Sequence, residues 1–164
     1  MKLLMDSDCL IKIVKSSLKE MVLRNFNVEI PPLVRKEIVD DSKEQPDALI
    51  VKVNLDKKLL TVSRPIPGRS KGEEAVFDVF HSGQYDAICT DDKRFIKRLR
   101  LFDVPYFTPA VLIAVMMKAG VLTAGAALEK LESLAPMISD DEYLTVKRVL
   151  STWRNHENEN DPNT

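Results

Sequence analysis

Cysteine is scarce in this sequence: Cys9 and Cys89 are the only two in 164 residues, far apart and outside any metal-binding spacing. That excludes a disulfide framework and a zinc knuckle, and both read as buried thiols in a reducing compartment. Charge of one sign is also lacking. Twenty-four basic residues stand against 25 acidic ones, for a net charge of −1. No global cationic field advertises nucleic acid, so any such binding must come from a local patch. Long hydrophobic runs are missing too. The most apolar stretch, PAVLIAVMMKAGVL, is interrupted by Lys118 and is too short to span a bilayer. The start of the chain meets an acid at Asp6, which does not suit a signal peptide. The expectation is a soluble cytoplasmic protein with no membrane partner. His81 and His156, the only histidines, read as surface residues.

What is present is an alternation of short apolar runs and helical patterns. Lys2–Met5, Val28–Ile30, Leu59–Ser63, Ala87–Thr90 and Val104–Phe107 read as strands. After the first, Asp8 is expected to cap one helix in which Leu10, Ile11, Val14, Leu18 and Val22 recur at helical spacing. Pro31-Pro32 opens a helix over PPLVRKEIVDD, because proline suits a first helical turn. A helix follows near Asp47–Leu55, and RPIPGRSKG is a loop. GEEAVFDVFHSG carries acids in its first turn and Gly83 past its end, as the helix dipole and C-cap prefer. Asp91–Leu101 is a basic helix. Helices near Pro109–Ala119, Ala124–Leu134 and Asp140–Trp153 complete the chain, and a polar tail from about 155 reads as disordered. These elements imply an α/β fold, a three-layer α/β/α sandwich on a mainly parallel sheet. They form a single domain over 1–154, with a C-terminal helical extension from about 136.

The chemistry lies where strands end. In parallel α/β sheets the ligand crevice lies beyond the carboxyl ends of the strands. Asp6 follows the first strand, and Asp91 and Asp92 follow a later one. Glu37 sits in the helix after the second strand, and Glu73 opens the helix after the Pro/Gly loop. If the strands are adjacent, these acids converge. At about 4 Å each like-charge pair costs on the order of 4 kcal/mol at an effective dielectric of 20. Such a cluster needs raised pKa values or divalent cations, and oxygen-only ligands suit Mg²⁺ or Mn²⁺. Beside the paired acids, Lys93/Lys97 and Arg94/Arg98 share helix faces at four-residue spacing. Arg64, Arg69 and Lys71 add cations in the preceding loop. Such groups hold a nucleic-acid backbone without reading its bases. Each piece also has a plain reading as a helix cap or a solvated face; the order and placement of the acids together carry the signal.

That order resembles the PIN-domain family of metal-dependent ribonucleases. LLMDSDCLI resembles the family's opening strand, which places the first acid at Asp6 with Ser7 as the small polar residue after it. PPLVRKEIV resembles the second motif, with its glutamate on Glu37. KGEEAVFDVF is similar to the helix that begins Gly-Glu and places the third acid on Glu73. AICTDDKRFIKRL is similar to the strand ending in Thr-x-Asp. That places the fourth acid on Asp92 and a polar role on Thr90, with Asp91 the alternative if the register slips by one. The resemblance covers roughly residues 1–135. It implies catalysis by Asp6, Glu37, Glu73 and Asp92, with Asp6, Glu73, Asp92 and Asp91 holding Mg²⁺ or Mn²⁺. It implies RNA phosphates gripped by Lys93, Arg94, Lys97, Arg69 and Lys71. Many prokaryotic members are toxins of toxin–antitoxin pairs, often dimeric. Here an antitoxin would be the protein partner, and the apolar helix Pro109–Ala119 a dimer interface. The chain departs from those toxins at Tyr85-Asp86-Ala87-Ile88, which runs straight into a strand where they carry an Asp-Ala-Leu-Ile helix.

Two other readings compete. LLMDSDCLI also resembles the Asp-x-Asp of haloacid-dehalogenase-type phosphatases, with Asp6 as nucleophile and Asp8 as general acid/base. No glycine follows Asp8 to open that family's flap loop. The third reading is a PIN-like fold kept only for binding.

Overall fold

Short runs of apolar residues become strands because both faces of a parallel sheet are covered, so the strands need no polar alternation. In the computed structural model, which describes residues 1–42, 45–66 and 72–159 with the side chains of 154–159 excepted, five strands form one parallel sheet. They are β1 (Lys2–Met5), β2 (Asn27–Ile30), β3 (Leu60–Val62), β4 (Ala87–Cys89) and β5 (Tyr106–Phe107), in the spatial order β3-β2-β1-β4-β5. Leu3 pairs with Val28 on one side and Ala87 on the other, which makes β1 the centre of the sheet.

The helices of the first part are α1 (Ser7–Lys15), α2 (Lys19–Asn25), α3 (Pro32–Arg35), α4 (Pro46–Asp56), α5 (Glu73–Ser82) and α6 (Lys93–Leu101). Leu4 and Ile88 lie in one buried cluster with Val76 and Val79 of α5 and Phe95 and Leu99 of α6. Alternation along a strand sends Leu3, Met5 and Cys89 to the opposite face, and all three are fully buried. There α1 packs beside α4. Right-handed crossovers from a central β1 put the first two connections on one face and the next two on the other. The architecture is α/β, consistent with a three-layer α/β/α sandwich.

The sequence pattern misplaces several boundaries. The helix expected to run from Asp8 past Val22 is two helices. Ser16 Oγ turns back onto the Lys12 and Ile13 carbonyls, and Ser17 adopts a left-handed φ of 58°. The cap of α1 is Asp6, whose carboxylate accepts from the Cys9 amide at 2.8 Å, and not Asp8, which lies in the first turn. The helix over PPLVRKEIVDD is a single α-turn, α3, followed by a π-helical stretch at Lys36–Asp40.

The chain divides into two compact units, Met1–Thr108 and Pro109–Thr164. The second holds α7 (Pro109–Lys118), α8 (Ala124–Leu134) and α9 (Asp140–Glu159). α9 continues six residues beyond Trp153, so the tail expected to be disordered from 155 is helical as far as Glu159. From Pro109 to Met117 no side chain of α7 is fully exposed, and Val111, Ala114 and Val115 are half-buried. No helix among the described residues is long and apolar enough to cross a membrane.

Candidate active site

The site begins with two aspartates that end neighbouring strands. The Asp6 amide donates to the Cys89 carbonyl of β4 at 3.1 Å, which ties the end of β1 to the end of β4. The Asp92 carboxylate accepts from the Arg94 and Phe95 amides at 2.7 and 2.8 Å and so caps α6. Each acid therefore occupies a helix N-terminus, where amides and the helix dipole favour negative charge. Thr90, fully buried between them, accepts from the Asp92 amide at 3.2 Å and hydrogen-bonds the Asp6 carboxyl.

A cavity of about 160 Å³ opens above these caps, lined by Asp6, Ser7, Asp8, Glu37, Glu73 and Asp92, with Leu33, Val34, Val76 and Phe95 as apolar walls. Four acids expected from separate motifs thus share one pocket. Glu37 reaches it from the π-helical stretch. That winding places five residues where the sequence pattern implies plain helix, and such stretches recur at functional sites. Glu73 opens α5 immediately after Gly72, whose φ of 55° and ψ of −131° favour a residue without a side chain.

The electrostatics differ among the acids. Asp6 is recessed, and its carboxyl is pushed up to about 7. Burial is the main cause. Hydrogen bonds from Thr90 and the Cys9 amide oppose the rise, and the charges of Asp91 and Asp8 reinforce it. Glu37, Glu73 and Asp92 are exposed. Among the described residues none of the four has a cationic partner within ion-pair distance. Asp91 stands elsewhere. Its carboxylate is bonded to the Lys12 ammonium of α1 and is absent from the cavity lining. Burial works to lower the Lys12 pKa, but the Asp91 hydrogen bond and charge outweigh it and hold the ammonium above its usual range. Asp91, expected as a metal ligand or as the alternative to Asp92, is engaged by Lys12 as the side chains stand. Lys12 is the residue that sequence reasoning misses. Only the adjacency of β1 and β4 brings it to Asp91, and nothing local in the sequence signals that.

Could these residues hold an ion? The donors are hard oxygens, and the deepest of them resists ionisation without a cation beside it. As the side chains stand, no three acidic, histidine or cysteine groups among the described residues are gathered closely enough to grip one. Asp6 and Asp92 are held by helix amides, whereas Glu37 and Glu73 stand on different walls with solvent access.

Lys93, Arg94 and Lys97 are exposed on α6, next to the Asp92 cap, and have no side-chain partner among the described residues. Arg98 is engaged, 3.9 Å from Glu74 with its guanidinium 4.8 Å from the Phe77 ring centre. Arg100 donates to the Tyr106 hydroxyl. Arg69 and Lys71 lie outside the described residues. A comparison with models of known protein families returns no match, and a search for similar curated proteins returns none either.

Proposed function

We propose that the chain is a metal-dependent endoribonuclease that hydrolyses RNA phosphodiester bonds at the acid pocket. One observation carries the reading. Asp6, Glu37, Glu73 and Asp92, from four separate segments, line a single cavity at the carboxyl ends of β1 and β4, and among the described residues no cation offsets them. Unpaired acids of like charge are costly to hold together, and a divalent cation is the simplest compensation. Mg²⁺ or Mn²⁺ suits an oxygen-only donor set. Asp6, Glu73 and Asp92 would hold it. When bound, such an ion supplies an activated water and stabilises the leaving oxygen.

The chain's own residues have separable tasks. Thr90 and the Cys9 amide fix the orientation of the Asp6 carboxyl. The first-turn amides of α6 fix Asp92. Glu37, from the facing wall, is available to take a proton, and Ser7 offers a polar contact at the mouth. Leu33, Val76 and Phe95 limit water at one side of the pocket and so strengthen the interactions inside it. Lys93, Arg94 and Lys97 are placed to neutralise RNA phosphates without selecting bases. In a toxin–antitoxin setting, the partner would be a protein that covers this pocket.

The phosphatase reading is weaker. α1 begins at Ser7, directly after Asp6, so Asp8 belongs to a helical turn and not to a flap loop.

The test is cleavage of a mixed panel of labelled RNAs with Mn²⁺, with Mg²⁺ and with chelator, using Asp92→Asn as control. Asparagine keeps the capping oxygen and removes the charge. Metal-dependent cutting that the variant loses is the expected result. Cutting that survives in chelator, or is unchanged in Asp92→Asn, would overturn the assignment.

A further inference from the structure

Cations along α6 lead from the acid pocket toward aromatic rings on α5 and at the C-terminal end of α6. Arg94, Arg98 and Phe102 recur every fourth residue along α6 and its C-cap, so they form one stripe. Lys93, Lys97 and Leu101 form the stripe beside it. The cationic end lies by Asp92 at the pocket. The other end is apolar and open: Leu101 is 82% exposed and Phe102 59%. Phe102 does not stand alone. Its ring meets Phe77 of α5 edge-on with centres 5.3 Å apart, and Phe77 meets the exposed His81 at 4.2 Å. Arg98 lies over the same Phe77 ring. Large apolar side chains left this open on a solvated helix end call for an explanation.

We propose that this Phe102–Phe77–His81 shelf stacks unpaired bases of single-stranded RNA whose backbone runs along the α6 cations toward the acid pocket. The inference rests on the ribonuclease reading and adds a binding surface outside the pocket. Cationic tracks interleaved with aromatic rings bind single strands because every base offers a stacking face. The lengths agree. Ten residues from Asp92 to Phe102 span about 15 Å, and eight from Glu73 to His81 about 12 Å, at 1.5 Å per residue. The shelf therefore lies more than one nucleotide from the site of cutting. A duplex keeps its bases stacked on each other and has none to offer the shelf. Arg100 takes no part in this track, since it is bound to Tyr106.

The experiment measures the affinity of the intact protein for a labelled oligouridylate of about ten nucleotides, within the usual range of single-strand site sizes. Chelator is present throughout, so nothing is cut. Phe102→Ala and His81→Ala are each expected to weaken binding at least about fivefold, with an unchanged melting temperature. Phe102→Trp is expected to restore it. An abasic strand should lose about the same factor on the wild type and nothing further on Phe102→Ala. Lys97→Ala should lower the slope of log affinity against log salt by about 0.7, while Phe102→Ala leaves that slope alone. Wild-type affinity in Phe102→Ala, or equal binding of abasic and normal strands, would overturn the proposal. So would a variant that changes only sedimentation behaviour, which would make the shelf a contact between copies of this chain. The two readings fail separately. Cutting without any effect of Phe102 removes the shelf and spares the nuclease, whereas shelf-dependent binding without cutting does the reverse.

Discussion

The two ends of the sheet treat their acids in opposite ways. Glu29 of β2, which pairs with Leu4, turns its side chain back toward the end where β1 begins, and there the Lys2 ammonium meets it at 3.0 Å and the Tyr85 hydroxyl at 2.6 Å. Asp86 accepts from the Lys2 amide at 2.6 Å. Burial, then the hydrogen bond and charge of Glu29, push the Tyr85 hydroxyl well above its usual range, so it remains a donor. At the end where β1 finishes, Asp6, Glu37, Glu73 and Asp92 share a cavity with no cation offsetting them among the described residues. The same chain can neutralise its acids and does so at Glu29, Asp47, Asp40 and Asp91. The pocket acids differ from these in sharing one cavity, where burial rather than an ion pair sets the state of the deepest of them, Asp6.

The largest effect should come from removing one charge at the pocket end. Asp6→Asn and Asp92→Asn are expected to lower RNA cleavage by on the order of 10²–10⁴-fold, with the fold retained by circular dichroism. Asp92→Ala should in addition lose about 1 kcal/mol of stability with the α6 cap, measured by urea unfolding. Equal activity in wild type and both asparagine variants would erase the contrast between the two ends.

Next comes Gly72→Ala. No atom stands within 4 Å of the position a Cβ would take there, so any cost is backbone strain, roughly 1–3 kcal/mol. Because Glu73 follows directly, activity should fall together with stability.

A smaller effect separates the ends by pH. Asp6 titrates near 7 in the folded protein, above the unfolded value of about 3.9. Its proton therefore favours the folded state. The contribution is fully present below about pH 4 and is lost as pH rises through about 7. In chelator, wild type should lose stability over that interval relative to Asp6→Asn, read by melting temperature against pH. Parallel curves would show that the recessed position does not perturb Asp6.

The smallest effect on activity is expected at the opposite end. Glu29→Gln should cost about 1–3 kcal/mol by leaving Lys2 and Tyr85 imperfectly partnered, with cleavage per folded molecule unchanged.

Much of this contrast is written locally. The five strands, the Gly-Glu entry to α5 and the run Thr90-Asp91-Asp92 are short-range patterns, and convergence of four acids follows once β1 and β4 are neighbours. What the pattern hides is nonlocal or conformational. Ser17 breaks a helix that the apolar spacing would continue, because a left-handed residue leaves no mark on hydrophobic periodicity. The π-helical winding that carries Glu37 looks like ordinary helix in sequence. Asp91 and Asp92 come to differ in surroundings because Lys12, 79 residues away along the chain, holds the first, while the second caps α6.

The sheet order also has a kinetic consequence. β1 is translated first, yet one of its two neighbours is β4, so the Asp6–Cys89 hydrogen bond and the Thr90 contact close a loop of more than eighty residues. Such distant pairings form late and slowly, because chain entropy is lost before any contact can offset it. A ribosome-bound fragment ending before residue 92 would carry Asp6, Glu37 and Glu73 but lack the wall that makes them a pocket. The cavity, and any activity it supports, arises only when nearly the whole first unit has folded.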